Sequence, residues 1–312
     1  MSRGPGRAAA VRTVRTVQGD VDPRLLGVID AHDHLFFRSP LLPGQELDDV
    51  ELARQELAAY AAVGGGTVVQ WTPHGLGRRA ERLPELAAAT GVRIVAATGL
   101  HQAAHYSAEL AATAATDLAA LFVRELTEGI GDSGVRAGLI KVAGGFHALD
   151  AHARRTMRAA AEAHHATGAP IAVHHELGTG ALDVLDLLCG ELEVAPHRVV
   201  LGHLNRSPDI VTQTEAARSG AYLAFDGPSR ANHATDWRMP DSMAALASAG
   251  HADRLLLGGD TTTAGARSVS GGPGMPYLLR RVRPRLEASL GRETVERILT
   301  ANPARAFAVE WT

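Results

Sequence analysis

Five residues able to ligate a metal, and one lysine, stand at the ends of short apolar runs: His32, His34, Lys141, His174, His203 and Asp260. Imidazole is the common ligand for zinc and its first-row neighbours, and a carboxylate often completes the set. His32 and His34 are two apart, so on a strand both face one side and can grip one ion. Residues this dispersed meet only if each run is a parallel strand whose carboxyl end opens on a shared site. A (β/α)8 barrel builds its active site that way, and this ligand set points to metal-assisted hydrolysis.

Lys141 sits between Leu139-Ile140 and Val142-Ala143, where an ammonium is costly to bury without a partner. Burial lowers a lysine pKa and yields a free, nucleophilic amine. Such an amine can capture carbon dioxide as a carbamate, in effect a carboxylate on a long arm able to bridge two ions. The competing reading is a lysine paired with an acid across the barrel.

The elements that must position these residues alternate along the chain. Strands are expected at Val28–Ala31, Thr67–Trp71, Ile94–Thr98, Leu139–Val142, Ile171–His174, Val199–His203, Tyr222–Asp226 and Leu255–Gly259. Helical periodicity falls at Leu47–Val63, Arg78–Thr90, Leu110–Glu128, Ala151–Thr167 and Asp209–Ser219, several ending at a glycine. Eight strand–helix repeats give an α/β fold, a single-domain (β/α)8 TIM barrel. A short antiparallel ribbon at Val14–Pro23 is expected to close the barrel floor. Residues 1–13 read as a flexible N-terminal tail and 14–312 as the barrel.

Composition bounds the partners. An apolar share of 46% suits a soluble globular chain. A net charge of -3 offers no field for nucleic acid or an anionic membrane, and no run of about 18 apolar residues spans a bilayer. The lone Cys189, expected in a packed helix, cannot form an internal disulfide, which fits a reducing cytoplasm. The Arg-rich start lacks the apolar h-region of a secretory signal. A small-molecule substrate is the expected partner, and a homodimer is among the assemblies the sequence allows.

The chain resembles the phosphotriesterase-related branch of the amidohydrolase superfamily. The resemblance rests on Thr16–Asp20, His32-Asp33-His34, Gly75–Arg78, Ala97–Gly99, Ile140–Val142, Thr167–Ile171 before His174, and Gly202-His203. Phe225-Asp226, Asp253–Leu257, Asp260, Gly271–Gly274 and Asn302–Arg305 continue it, in order, from about Val14 to Phe307. It implies that His32, His34 and Asp260 hold a buried divalent ion, and His174 and His203 a more exposed one. N-carboxylated Lys141 would bridge the two ions together with a hydroxide. His174 rather than His175 is implied, because it stands four residues after Pro170. The metal expected is zinc, with manganese, cobalt or iron as alternatives, and Asp260 would shuttle the displaced proton.

Three departures from the family pattern stand out: Asp33 in place of Glu, His101 where lactonase-like relatives place Tyr, and Gly258-Gly259 before Asp260. The loop residues His101, Tyr106, Arg230, Trp237 and Arg238 are candidates for substrate contact, with Arg267 a further arginine able to clamp an acid group. Trp71 walls the mouth or packs beneath it. His152, His164 and His165 read as helix-surface residues, and Gly271–Gly274 as a loop hinge. The expected activity is cleavage of a lactone or carboxylic ester, with phosphotriesters ranked lower, by attack of a metal-bridging hydroxide. Hydrolysis of an N-acyl amide is the alternative. A non-catalytic binding protein on a decayed barrel is the distant one.

Overall fold

The computed structural model of the chain describes residues 12–107, 117–227 and 233–311. It enters through an antiparallel ribbon, β1 (Val14–Thr16) and β2 (Gly19–Val21). Eight parallel strand positions follow: β3 (Val28–Asp33), β4 (Gly65–Gln70), β5 (Arg93–Val95) with β6 (Ala97–Gly99), β7 (Leu139–Ala143), β8 (Ile171–His174), β9 (Val199–Leu201), β10 (Tyr222–Asp226) and β11 (Leu255–Gly258). The pairings run β3-β4-β5 and β6 through β11 in chain order. β5 and β6 are one strand interrupted at Ala96, whose carbonyl accepts from Gly138 N–H. Closure between β11 and β3 comes from Gly259 and Asp260 N–H groups, which both donate to the His32 carbonyl. The ring of strands is therefore complete.

Alternation along the strands explains which residues reach the site. Leu139, Ala172, Val200, Ala224 and Leu256 pack together inside the barrel. Their neighbours Ile140, Val173, Leu201, Phe225 and Leu257 pack outward under the helices. A period of two carries the inward face from Leu139 to Lys141 and from Ala172 to His174. β3 would fail by this rule, since inward Ile29 and Ala31 point to Asp33. Its pairing with β4 slips between Asp30 and Asp33, and that irregularity turns His32 inward onto the ring of Trp71, 3.8 Å between centroids.

Asp150 caps the helix Ala151–Thr167 through its carboxylate, and Gly168 ends it at a φ of 77°. Asp209 does the same for Ile210–Arg218. The helix expected over Leu110–Glu128 is Leu118–Thr127 within the described residues. Most of the expected tail lies outside the described residues, and Thr13 pairs with Val309 instead of extending it. His152 and His164 are not surface residues. His152 reaches the His101 carbonyl at 2.8 Å, and buried His164 bonds the Ala169 carbonyl at 2.7 Å. The Ala-rich helix packs closely on the strands and takes these two inward, while His165 stays exposed as expected. The Gly271–Gly274 turn is not a hinge, since Glu56 accepts from Ser268, Val269 and Met275 and pins it. Among the described residues no helix is long and apolar enough to cross a membrane.

Candidate metal centre

His32, His34 and Asp260 form one half of the site. The Nε2 atoms of both histidines stand 3.4 Å from Asp260 Oδ1. Metal–donor bonds of about 2.0–2.1 Å at tetrahedral angles separate two donors by roughly 3.4 Å, so this cradle has the span of an ion. The tautomers are fixed for ligation too. Thr72 Oγ1 donates to the Phe36 carbonyl and so accepts from His34 Nδ1 at 2.8 Å, leaving the His34 Nε2 lone pair free. His32 Nδ1 donates to Asp226 Oδ1 at 2.8 Å with the same result.

His203 and His174 form the other half. His203 Nδ1 donates to Asp226 Oδ2 at 2.6 Å, and His174 Nε2 faces Glu176 Oε2 at 3.2 Å. Their remaining nitrogens, His203 Nε2 and His174 Nδ1, meet at 2.7 Å. Burial pushes His174 down to about 3 and His203 well below the ordinary imidazole value. Two neutral rings already donating to carboxylates turn lone pairs on each other, an arrangement a cation between them would relieve. His175 lies outside the cluster and bonds the Gly202 carbonyl.

Lys141 is buried, 2% exposed, and no hydrogen bond joins its amine to another described residue. Burial pushes it from 10.5 down to about 7, against the pull of Asp260. The amine form that carbamate formation requires is therefore substantially populated at neutral pH. Glycine is required at position 99, where a Cβ would overlap the Lys141 backbone and φ is +106°.

Asp260 and His203 both sit in the left-handed region, with φ 52° and 65°. Such conformations cost of order 1–3 kcal/mol and concentrate at functional sites. The His32 carbonyl holds the first through Asp260 N–H, and Asp226 holds the second through His203 N–H. Burial opposes ionisation of Asp260, yet the nearby Arg206, His32 and His203 hold it well below the usual carboxylate range. Arg206 pairs directly with Asp260 Oδ2.

The predicted loop contacts separate. His101 is buried beside His174, 4.6 Å between centroids, and burial lowers its pKa strongly. The Tyr106 hydroxyl is occupied, accepting from His101 N–H at 2.7 Å and donating to the His74 carbonyl at 3.1 Å. Trp237 is 56% exposed, with Arg238 over its ring. Arg230 lies outside the described residues. Arg267 is no clamp, for its buried guanidinium donates to the Leu35 and Asp49 carbonyls. Trp71 packs beneath the site and donates to the Ala31 carbonyl. Gly258 and Gly259 do not widen the pocket: a Cβ on Gly258 would lie 2.7 Å from His32, and one on Gly259 would overlap Asp33. They let β11 approach β3 where the barrel closes.

Three site residues carried no role in the sequence reading. Asp226 ends β10 just as the ligands end their strands, a signal that was available. Arg206 follows His203 by three residues, on a short turn whose direction depends on the His203 backbone. Thr72 is a single hydroxyl with no spacing to mark it.

Similarities to known proteins follow the same lines. A profile of the phosphotriesterase family matches residues 12–307. A phospho-furanose lactonase from Mycoplasmopsis agalactiae is 32% identical, over 95% of this chain and 92% of its own length. An N-acetyltaurine hydrolase from Rattus norvegicus is 29% identical, over 93% of this chain and 96% of its own. The crystal structure of a lactonase from Listeria monocytogenes superposes with a TM-score of 0.86 at 27% identity, covering 95% of this chain and 98% of that one. Carried on a ring of eight parallel strands and matched over nearly its whole length, the chain belongs to the phosphotriesterase family, whose members are metal-dependent hydrolases.

Proposed function

We propose that the protein hydrolyses a lactone bearing a phosphate or another strong acid group, using two divalent ions. His32, His34 and Asp260 would hold one ion, His174 and His203 the other, and Lys141, N-carboxylated, would join them. The carbamate forms when the Lys141 amine adds to the carbon of carbon dioxide and loses one proton to solvent. The ions would lower the pKa of water at the site and polarise the ester carbonyl. Zinc suits a histidine-rich set, with manganese, cobalt and iron as alternatives.

The chain's own residues supply the rest. Asp226 fixes the rings of His32 and His203 together. Asp260, ionised and buried, can take the proton released by water and pass it to the leaving oxygen. His101 flanks His174 at the site and can direct the substrate.

The observation that carries the choice of an acidic substrate is Arg206. Its side chain is 12% exposed and pairs with Asp260. If Asp260 serves as a ligand, its charge is shared with the ion, and the guanidinium becomes available to an anion in the pocket. The relatives named for phospho-furanose and N-acetyltaurine substrates are consistent with such a group, since phosphate and sulfonate are both strong acids.

The test is kcat/KM of the metal-loaded protein on a phosphorylated sugar lactone, the same lactone without phosphate, N-acetyltaurine and an aryl phosphotriester. The phosphorylated lactone is expected to lead the unphosphorylated one by about 100-fold, ~2.7 kcal/mol. Faster turnover of the amide than of either lactone would favour the amidase reading. Triester turnover above both lactones would overturn the proposal.

A further inference from the structure

The amino ends of the strands carry a second cavity, of about 920 Å³, on the barrel face opposite the metal centre. Its walls come from Gly27 before β3, Tyr222 at the start of β10, Arg254 before β11, and the C-terminal helix Ala301–Phe307. Pro23, Ala301, Ala304 and Ala308 give it an apolar floor, and Tyr222 gives it an aromatic edge. One wall is different. There Arg12, His197 and Arg254 line it together, and Arg198 acts electrostatically on His197.

That wall is charged and poorly neutralised. Arg12 finds Glu310 only at 3.7 Å and Arg254 finds Asp253 only at 3.6 Å, both beyond hydrogen-bond reach. Arg198 donates to the Ala308 carbonyl rather than to an acid. Burial lowers the pKa of His197, and Arg198, Arg12 and Arg254 lower it further, so three guanidinium groups crowd one imidazole. Two acids also line the cavity: Glu296 is bonded by Arg283 at 2.8 Å, and Asp253 faces Arg254 at 3.6 Å, against four arginines, Arg12, Arg24, Arg254 and Arg305. Arg24 and Arg305 also line the cavity, but Asp22 and Asn302 hold them.

We infer that this floor cavity binds a small amphiphilic anion, an apolar or aromatic body carrying one carboxylate or phosphate. The body lies against Tyr222 and the alanine floor, and the acid group meets Arg12 and Arg254. A concave, mostly apolar pocket with a few convergent polar groups is the usual form of a small-molecule site. Arg254 already lies over the Tyr222 ring, 5.4 Å to its centroid, so it is placed where an aromatic acid would pair and stack together. The site is independent of the hydrolytic reaction. It also lies beneath the strands that carry Asp226 and His32, one strand length away.

The probe is 4-iodobenzoate, with neutral 4-iodobenzamide as its control, on the full-length metal-loaded protein. Anomalous diffraction from soaked crystals locates the iodine, and calorimetry gives the affinities in solution. The inference predicts iodine at the floor beside Tyr222 and at least tenfold weaker binding of the amide. Arg254→Glu and, separately, the exposed Arg12→Glu are each expected to weaken the acid at least tenfold without changing the amide. Arg206→Ala should leave the floor iodine in place. Equal binding of acid and amide, iodine only at the metal centre, or no loss in both charge-reversal variants would each overturn the assignment. An Arg254→Glu chain that does not fold leaves Arg12→Glu and the amide comparison to decide.

Discussion

The two halves of the metal centre differ in readiness. On the β3–β11 side, His32 and His34 stand 3.4 Å from Asp260, the spacing of donors around an ion. On the β8–β9 side, His174 and His203 close to 2.7 Å, nearer than two donors of one ion stand, so the proposed ion would have to part them. The cause lies in what supports each half. β11 is locked to β3 by two backbone hydrogen bonds and by glycines that allow contact. His174 stands on a strand end that leads into an exposed turn at Leu177. A pre-spaced half should bind its ion first and more tightly, because less of the binding energy goes into rearrangement. If Lys141 is carboxylated as proposed, it would decide whether the second ion stays.

Removing the proposed Lys141 bridge gives the largest expected effect. Lys141→Ala should lose the second ion and at least about a thousandfold in kcat, ~4 kcal/mol, with partial recovery on adding acetate or propionate. Lys141→Arg should not recover, because a guanidinium cannot become an anionic ligand. Full activity in Lys141→Arg would restore the ion-pair reading and dissolve the distinction between bridge and halves.

Asp226 touches one histidine from each half, so it should blur the difference. Asp226→Asn is expected to weaken both ions by about 10–100-fold, the usual cost of losing such an orienting carboxylate. Metal titration followed by calorimetry checks it. Loss confined to one step would show that the other histidine is oriented independently.

Arg206→Ala should raise KM for a phosphorylated lactone by roughly tenfold, with Lys restoring part of it. The unphosphorylated lactone should be little affected. Equal effects on both would assign Arg206 to holding Asp260 rather than the substrate.

Stability gives the smaller signals. Gly258→Ala should cost about 1–3 kcal/mol by pushing β11 off His32, read as a lower Tm, and should weaken the first ion more than the second. In metal-free protein, Lys141 titrates near 7 when folded and 10.5 when free. Between those values the unfolded chain binds more protons, so stability rises with pH through that window. A Tm series from pH 7 to 10 should climb for the metal-free protein and flatten in Lys141→Met.

Much of this is legible in the sequence. β8 and β10 begin and end where alternation places them, because nothing interrupts their period of two. The helix Ala151–Thr167 has the expected bounds and ends at the expected glycine; its Asp150 cap went unread. The Val199–His203 strand stops early at Leu201, because His203 turns to positive φ. The inward turn of His32 rests on a slipped register, which no pattern of residue types announces. Asp226 could have been found by the strand-end rule applied to the other ligands. Arg206 depended on the path of a strained turn, and the Gly258-Gly259 pair on which strands meet when the barrel closes.

The most direct test is anomalous diffraction at the zinc edge, on crystals grown with zinc and bicarbonate from fully active protein. The account predicts two peaks about 3.5–4 Å apart, one at His32, His34 and Asp260 and one at His174 and His203. Density should extend beyond Lys141 Nζ between them. A single peak on the β3–β11 side with a bare Lys141 amine would contradict it.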